Sequence, residues 1–135
     1  MKKAVLALIV LTVVVLLFVS IGSAFNRADL QRLEATGGCV ECDLSGAVLI
    51  HMNLGGADLS GSDLTGANLT DAWLAGASLE GADLTGAILI STSLAGADLI
   101  GAKLGGANLL FTDLAGARWV DGSLCKRPSS GSCKR

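Results

Sequence analysis

The sequence predicts an all-β solenoid, a coil of very short strands wound around a filled interior. Three observations predict it. Leucine occupies every fifth position from Leu44 to Leu114, and the series continues through Trp119 to Leu124. A small residue, most often alanine, stands two positions before all but Leu54, which has Met52 there, as at Ala47, Ala57, Ala67 and Ala117. Glycine recurs two positions after many of the leucines. A period of five matches neither the 3.6 of a helix nor the 2.0 of a flat strand. A repeat this regular sets the architecture before any other feature.

One unit, Ala57-Asp58-Leu59-Ser60-Gly61, shows how the coil forms. Ala57 and Leu59 are two apart and share a face, so both point inward while Asp58 points out. Ser60-Gly61 turns the chain, and glycine second in the turn suggests type II, which needs positive φ there. Exceptions count the sides. Glycine fills the corners at Gly46, Gly66, Gly86 and Gly106, at Gly56, Gly76, Gly96 and Gly116, and at Gly61, Gly81 and Gly101 before Asp121. The remaining corner holds His51, Asp71, Ser91 and Phe111, twenty residues apart. Twenty residues, four units, thus make one turn of a square coil, with coils about 4.8 Å apart. The glycine-free corner is expected to use a turn without positive φ, such as type I.

The block Gly56-Ala57-Asp58-Leu59-Ser60 and its copies resemble the pentapeptide repeat, A-(D/N)-L-x-x. The resemblance covers 41–124 and implies a right-handed quadrilateral β-helix, here of about four coils. The lead-in Asp29-Leu30-Gln31-Arg32-Leu33 with Cys39-Val40-Glu41-Cys42-Asp43-Leu44 is similar to that of exported members, as is Trp119-Val120-Asp121-Gly122 followed by two cysteines. Met52, Thr92 and Thr112 depart from alanine beside the odd corner, so they modify one edge and not the fold.

The ends bound the organisation. Residues 1–24 carry Lys2-Lys3, an uncharged apolar run from Ala4 to Gly22, and small residues at Gly22 and Ala24. This reads as a secretory signal cleaved after Ala24, or as a retained N-terminal membrane anchor, since the run reaches spanning length. Either places the repeat outside the cytoplasm. Residues 25–40 read as a linker and short helix, with Leu30 and Leu33 on one face and Gly37-Gly38 as its stop. A solenoid end exposes strand edges and core leucines, so this helix is assigned to cap the first coil. Residues 125–135 form a basic C-terminal cap.

Four cysteines fall into two local pairs, Cys39/Cys42 and Cys125/Cys133. A four-thiolate zinc site is disfavoured, because the pairs are roughly 20 Å apart at strand spacing. An exported chain favours oxidation, so both local pairs are expected to be disulfides. A redox role for Cys39-x-x-Cys42 is weakened by the missing helix N-terminus. His51, Asp71 and Ser91 share a column, but their order puts aspartate and not histidine in the middle, which defeats a hydrolase triad. No nucleophile elbow or phosphate loop in a strand-to-helix context is present. The chain is read as non-enzymatic, with no cofactor and no metal; a calcium site on the Asp43, Asp63 and Asp83 column lacks further ligands.

Charge divides along the chain. From Glu41 to Leu124 ten acidic residues face two basic ones, Lys103 and Arg118, while the tail adds Lys126, Arg127, Lys134 and Arg135. The resemblance offers an alternative: an acidic DNA-mimic inhibitor or protector of a nucleic-acid enzyme such as gyrase. The export leader argues against it and against nucleic acid as a partner. Outward aspartate and asparagine read as solvation. One edge is apolar: Val48, Ile50, Ile88, Ile90, Leu110 and Phe111 flank the glycine-free corner, and Trp73 projects from the next strand. A strip of a few hundred Å² is expected to bind an unknown protein partner or a second copy of the chain. The reading is an exported structural or interaction module of the periplasm or thylakoid lumen, associated with the membrane if the N-terminal segment is retained.

Overall fold

The computed structural model of the chain describes residues 25–135, and the leader expected over 1–24 lies outside the described residues. The described residues open with a helix, α1 (Arg27–Thr36). Asn26 starts it: its side chain accepts the Ala28 N–H at 3.0 Å, and Asp29 stands in the positive first turn. Gly37 stops it at φ 72, donating its N–H to the Leu33 carbonyl at 2.8 Å. A helix of ten residues is marginal alone. Contacts to the coil hold it: Leu33 is buried, and the Asn26 N–H reaches the Asp43 carbonyl at 3.0 Å. Asp29 Oδ2 accepts the Asp43 N–H at 3.0 Å.

Beyond α1 the chain coils. Parallel bridges join residues twenty apart, beginning Asp43↔Asp63, Val48↔Asn68, Asn53↔Trp73 and Asp58↔Ser78. Four bridges per twenty residues make four sides per turn. Each side is one bridge residue long, because a corner follows at once. The inward leucine donates its N–H to the rung below, as from Leu64 to the Asp83 carbonyl at 2.8 Å. The bridge residue donates upward, as from Asp83 to the Ser62 carbonyl at 2.9 Å.

Leucine and alanine fill the interior without solvent access, as at Leu59, Leu79, Ala67 and Ala87. Polar residues in this core are bonded. Thr92 and Thr112 donate their hydroxyls to the carbonyls of Leu69 and Leu89 at 2.7 and 2.6 Å. The alanine-to-threonine departures therefore add a bond between rungs rather than a defect.

The glycine-free corner overturns the expected turn. φ is 58° at His51, 56° at Asp71, 54° at Ser91 and 60° at Phe111. These corners close with the same bond as the glycine ones, Ala72 N–H to Leu69 carbonyl at 3.0 Å beside Ala47 N–H to Leu44 carbonyl at 3.0 Å. The left-handed conformation costs an L-residue about 1–2 kcal/mol. Against that, the corner N–H reaches the next rung: His51 to Thr70 at 3.1 Å, Asp71 to Ile90 at 3.0 Å, Ser91 to Leu110 at 2.9 Å. The three other corners fix the rise and register, and this one conforms to keep its ladder bonds.

A second departure comes at the end. The fivefold series places Leu124 inward, yet it is 60% exposed. Gly122, at φ 81, reverses the chain, and residues 123–131 return beneath the last rung with the antiparallel bridges Arg118↔Leu124 and Asp113↔Ser130. The structure joins Cys39 to Cys42 and Cys125 to Cys133, with Cα atoms 5.6 and 5.0 Å apart.

Candidate interaction surface

The residues singled out as an apolar edge do come to one edge, but not as a continuous strip. Val48, Asn68, Ile88 and Asn108 form one column, so asparagine alternates with the aliphatic residues. The adjoining turn positions hold Ile50, Thr70, Ile90 and Leu110. The second rung is polar throughout, and the Asn68 Oδ1 accepts both the Thr70 N–H and hydroxyl at 3.1 and 2.7 Å. Val48 and Ile50 are thus set apart on the first rung. Ile88 and Ile90 are half-buried, and with exposed Leu110 and Phe111 they form the continuous part over the last two rungs. Phe111, 68% exposed at a strained corner, is its most prominent side chain.

Trp73 stands on the next face, half exposed. Its indole crosses the neighbouring corner: a Cβ on Gly55 would come within 2.9 Å of Trp73 Cδ1 and 3.0 Å of Nε1. Gly55 is where the ring rests, and its missing side chain lets the indole lie against the backbone.

The outward aspartates and asparagines do more than solvate. Each Oδ1 accepts the N–H two residues on: Asp43 from Ser45 at 3.1 Å, Asp58 from Ser60 at 3.1 Å, Asp63 from Thr65 at 2.9 Å, Asp83 from Thr85 at 3.0 Å. The Ser45 and Ser60 hydroxyls donate to the same oxygen at 2.7 and 2.6 Å. These Asx turns stiffen the corners. They also hold carboxyls ionised. The Thr85 hydroxyl and N–H, with the Lys103 ammonium, lower the Asp83 pKa to about 2. Hydrogen bonds from Ser60 lower that of Asp58, and those from Ser123 lower that of Asp121. Sequence reasoning missed this role, although its signal was present: serine or threonine two residues after the acceptor at Asp43, Asp58, Asp63, Asn68, Asp83 and Asp121.

The two basic residues of the repeat pair with acids one rung above, Lys103 to Asp83 at 3.1 Å and Arg118 to Asp98 at 3.5 Å. His51 Nδ1 lies 3.8 Å from Asp71 Oδ2 at an exposed corner, and Ser91 follows on the next rung in the same column. At the other end, ligand atoms of Asp29, Cys39 and Cys42 lie within 4.8 Å of one another. Both sulfurs are joined, and the Arg32 guanidinium contacts each of them, putting a positive charge beside the group. No helix among the described residues is long and apolar enough to cross a membrane.

A sequence model of pentapeptide repeats matches this chain in eight copies, over residues 42–81, 62–99 and 92–120. Among curated proteins no match is found. Similar solved structures include HetL, a pentapeptide repeat protein involved in heterocyst differentiation regulation from the cyanobacterium Nostoc sp. strain PCC 7120. It is 38% identical over 64% of this chain with a TM-score of 0.38, and the chain spans 49% of its length. Rfr23 from the cyanobacterium Cyanothece 51142 is 32% identical, covering 67% of this chain and 82% of its own, with a TM-score of 0.38. A pentapeptide repeat protein of the Arabidopsis thaliana thylakoid lumen is 23% identical, covering 83% and 91%, with a TM-score of 0.37.

Proposed function

Because the chain belongs to the pentapeptide repeat family, whose members fold as right-handed β-helices, we propose that it is a non-enzymatic protein-interaction module working outside the cytoplasm. In this reading the quadrilateral coil spans about four turns over 41–124. Residues 25–40 cap its first rung and 125–135 its last. The interior is filled, so binding uses the outer faces. Both cysteine pairs are oxidised in the native protein and clamp the two ends.

The observation that carries this reading is the continuous apolar group Ile88, Ile90, Leu110 and Phe111 on one edge of the coil. A phenylalanine held 68% exposed at positive φ combines two unfavourable features that packing of the chain does not require. A partner that covers it removes the exposure, and clusters of buried aromatic anchors dominate such interfaces. Val48, Ile50 and Trp73 flank it as outlying contacts.

Affinity capture from the native envelope fraction tests the reading. The native chain should retain a partner that a Phe111→Lys, Ile90→Lys chain releases. Equal recovery on both would remove this edge as the site. Fractionation and N-terminal sequencing test export. Residence in the periplasm or thylakoid lumen is expected, whether or not the leader is cleaved. Residence in the cytoplasm would overturn it and return attention to mimicry of nucleic acid by the acidic repeat. A thiol count on the non-reduced protein should be zero; four free thiols would refute the paired cysteines.

A further inference from the structure

The segment between α1 and the coil carries a disulfide that its own geometry does not need. Cys39–Cys42 joins residues three apart, and so short a loop removes little entropy from the unfolded chain. Other bonds already hold the segment. Ser62 is fully buried at a position where most repeat units carry alanine. Its hydroxyl donates to the Cys39 carbonyl at 2.5 Å and accepts the Cys42 N–H at 3.2 Å. The Cys39 N–H reaches the Asp58 carbonyl at 2.7 Å, the Glu41 N–H that of Ser60 at 2.9 Å, and the Cys42 carbonyl accepts the Asp63 N–H at 2.8 Å. Opening the S–S bond leaves all of these in place. Cys125–Cys133 differs. It closes the returning tail over eight residues, and no side chain among the described residues donates to its sulfurs.

The groups around Cys39 and Cys42 suit a reduced pair better than a disulfide. Arg32, one turn before the end of α1, aims its guanidinium at both sulfurs. Its Nε lies 3.3 Å from Cys39 Sγ, and its Nη2 contacts Cys42 Sγ while donating to the Val40 carbonyl at 3.1 Å. A disulfide sulfur is a neutral, weak acceptor, whereas a thiolate takes charge-assisted bonds. Cys39 Sγ also lies 3.2 Å from the Asp29 carbonyl, placed to accept a thiol proton that a disulfide does not have. The set fits a Cys39 thiol beside a Cys42 thiolate. One group opposes it: a carboxylate oxygen of Asp29 lies within 4.8 Å of both sulfurs. That carboxylate is already engaged, with Oδ2 accepting the Asp43 N–H at 3.0 Å and Oδ1 lying 3.8 Å from Arg32. A Cys-x-x-Cys pair is commonly activated by a helix N-terminus. Here the flank of a helix supplies a guanidinium in its place.

We infer that Cys39–Cys42 is a thiol–disulfide exchange site, opened and reclosed by a dithiol such as a reduced Cys-x-x-Cys protein, while Cys125–Cys133 stays closed. The inference rests on both pairs being oxidised in the resting protein. One thiolate of the dithiol attacks Cys39 Sγ. The S–S bond breaks, and its electron pair leaves on Cys42 Sγ, where Arg32 stabilises the charge; a leaving thiolate so stabilised departs faster. The second thiolate of the dithiol then attacks its own sulfur in the mixed disulfide and releases Cys39, which takes up a proton. Two electrons pass to the pair and the dithiol becomes a disulfide. Of its two protons, one ends on Cys39 and the other in solvent. Both cysteines are closed off, at 2% and 1% exposure, so attack requires α1 to lift. Gly37 ends α1 before either cysteine, so the disulfide does not restrain it. The helix is held by Leu33, by its two bonds to Asp43 and by Arg32, a set that opens locally without unfolding the coil.

Titration of the full chain in dithiothreitol redox buffers, read by alkylation and peptide mass, tests this. Cys39–Cys42 should open at buffer ratios that leave Cys125–Cys133 closed and the fluorescence of Trp73 and Trp119 unchanged. Arg32→Gln should lower the equilibrium constant for reduction about tenfold, or about 30 mV for two electrons, and Arg32→Lys should recover part of the loss. An equilibrium constant unchanged in Arg32→Gln overturns the inference. So does a Cys125–Cys133 bond that opens first, or a Cys39–Cys42 bond that opens only as the fluorescence reports unfolding. The order of opening in the native chain decides the matter even if the glutamine variant fails to fold. Four free thiols before reductant is added would refute the pairing itself, whereas two closed disulfides that open only together with unfolding refute the exchange alone.

Discussion

Replacing Ser91 by glycine should stabilise the protein, and the size of the effect follows from the corner it occupies. Ser91 sits at φ 54 in an exposed corner, and among the described residues its hydroxyl makes no hydrogen bond. Left-handed backbone costs an L-residue about 1–2 kcal/mol. Glycine removes that strain but frees the unfolded chain, which offsets about 0.4–1 kcal/mol. The net gain is about 0.5–1 kcal/mol, or a rise in Tm of roughly 2–6 °C. Gly86→Ala is the converse. A Cβ there would meet nothing within 4 Å, so only the φ of 67 opposes it. It should lose about 0.5–1 kcal/mol. Urea unfolding followed by tryptophan fluorescence reads both. A Ser91→Gly chain less stable than the native one would refute the reasoning, because glycine is expected to destabilise a corner that is not left-handed.

The fivefold leucines divide sharply. Leu79→Ala, at a site with no exposure, should cost about 3–4 kcal/mol in urea, whereas Leu124→Ala should change monomer stability by less than about 0.5 kcal/mol. Acid should weaken the fold in a defined window. Asp83 is lowered from 3.8 to about 2, so its contribution is complete above 3.8 and lost as pH falls through about 2. Asp83→Asn keeps an acceptor for the turn and should flatten the stability–pH curve there; an unchanged slope would remove Asp83 from the account. Gly55→Ala should lift the Trp73 ring off the backbone and shift its fluorescence to the red with little change in Tm, since the ring is half exposed.

Some features were legible in the sequence and others were not, for separable physical reasons. Inward leucine and alanine repeat because the interior admits little else, so the rung and its register of twenty appear directly as period and exception. The exceptions at His51, Asp71, Ser91 and Phe111 marked the correct side of the coil but misled about its turn. Glycine is preferred at positive φ by only about 1–2 kcal/mol. That is comparable to the two backbone bonds that the His51, Asp71 and Ser91 corners keep by conforming, a closing bond and one to the next rung, so the absence of glycine says little about φ inside a repetitive ladder. The aspartates were read incompletely for the opposite reason. Their turn-capping partner lies two residues away, close enough to read, but exposure alone explained them adequately. The candidate surface was half legible. The apolar positions are in the sequence, while the break made by Asn68 and Thr70 becomes visible only when the rungs are stacked.

Leu124 carries the sequence argument to its limit. By period it is the next core leucine. In space it lies past the reversal at Gly122, with its side chain exposed and its backbone turned away from the coil. A one-dimensional repeat records which residues fill a rung, but not where the last rung stops, because the stop is set by a turn outside the repeat. The same limit governs function. Any chain with this period builds the same sealed interior, so what distinguishes this one must lie where the period fails. Three such places lie together: the corner that carries Phe111, the open half of the last rung, and the tail that leaves it open. They adjoin one another at one end of the coil. A partner bound over Phe111 and Leu110 would therefore sit beside the end of the coil. Phe111→Lys should then release the partner, whereas Gly55→Ala, which moves only the outlying Trp73, should weaken binding less.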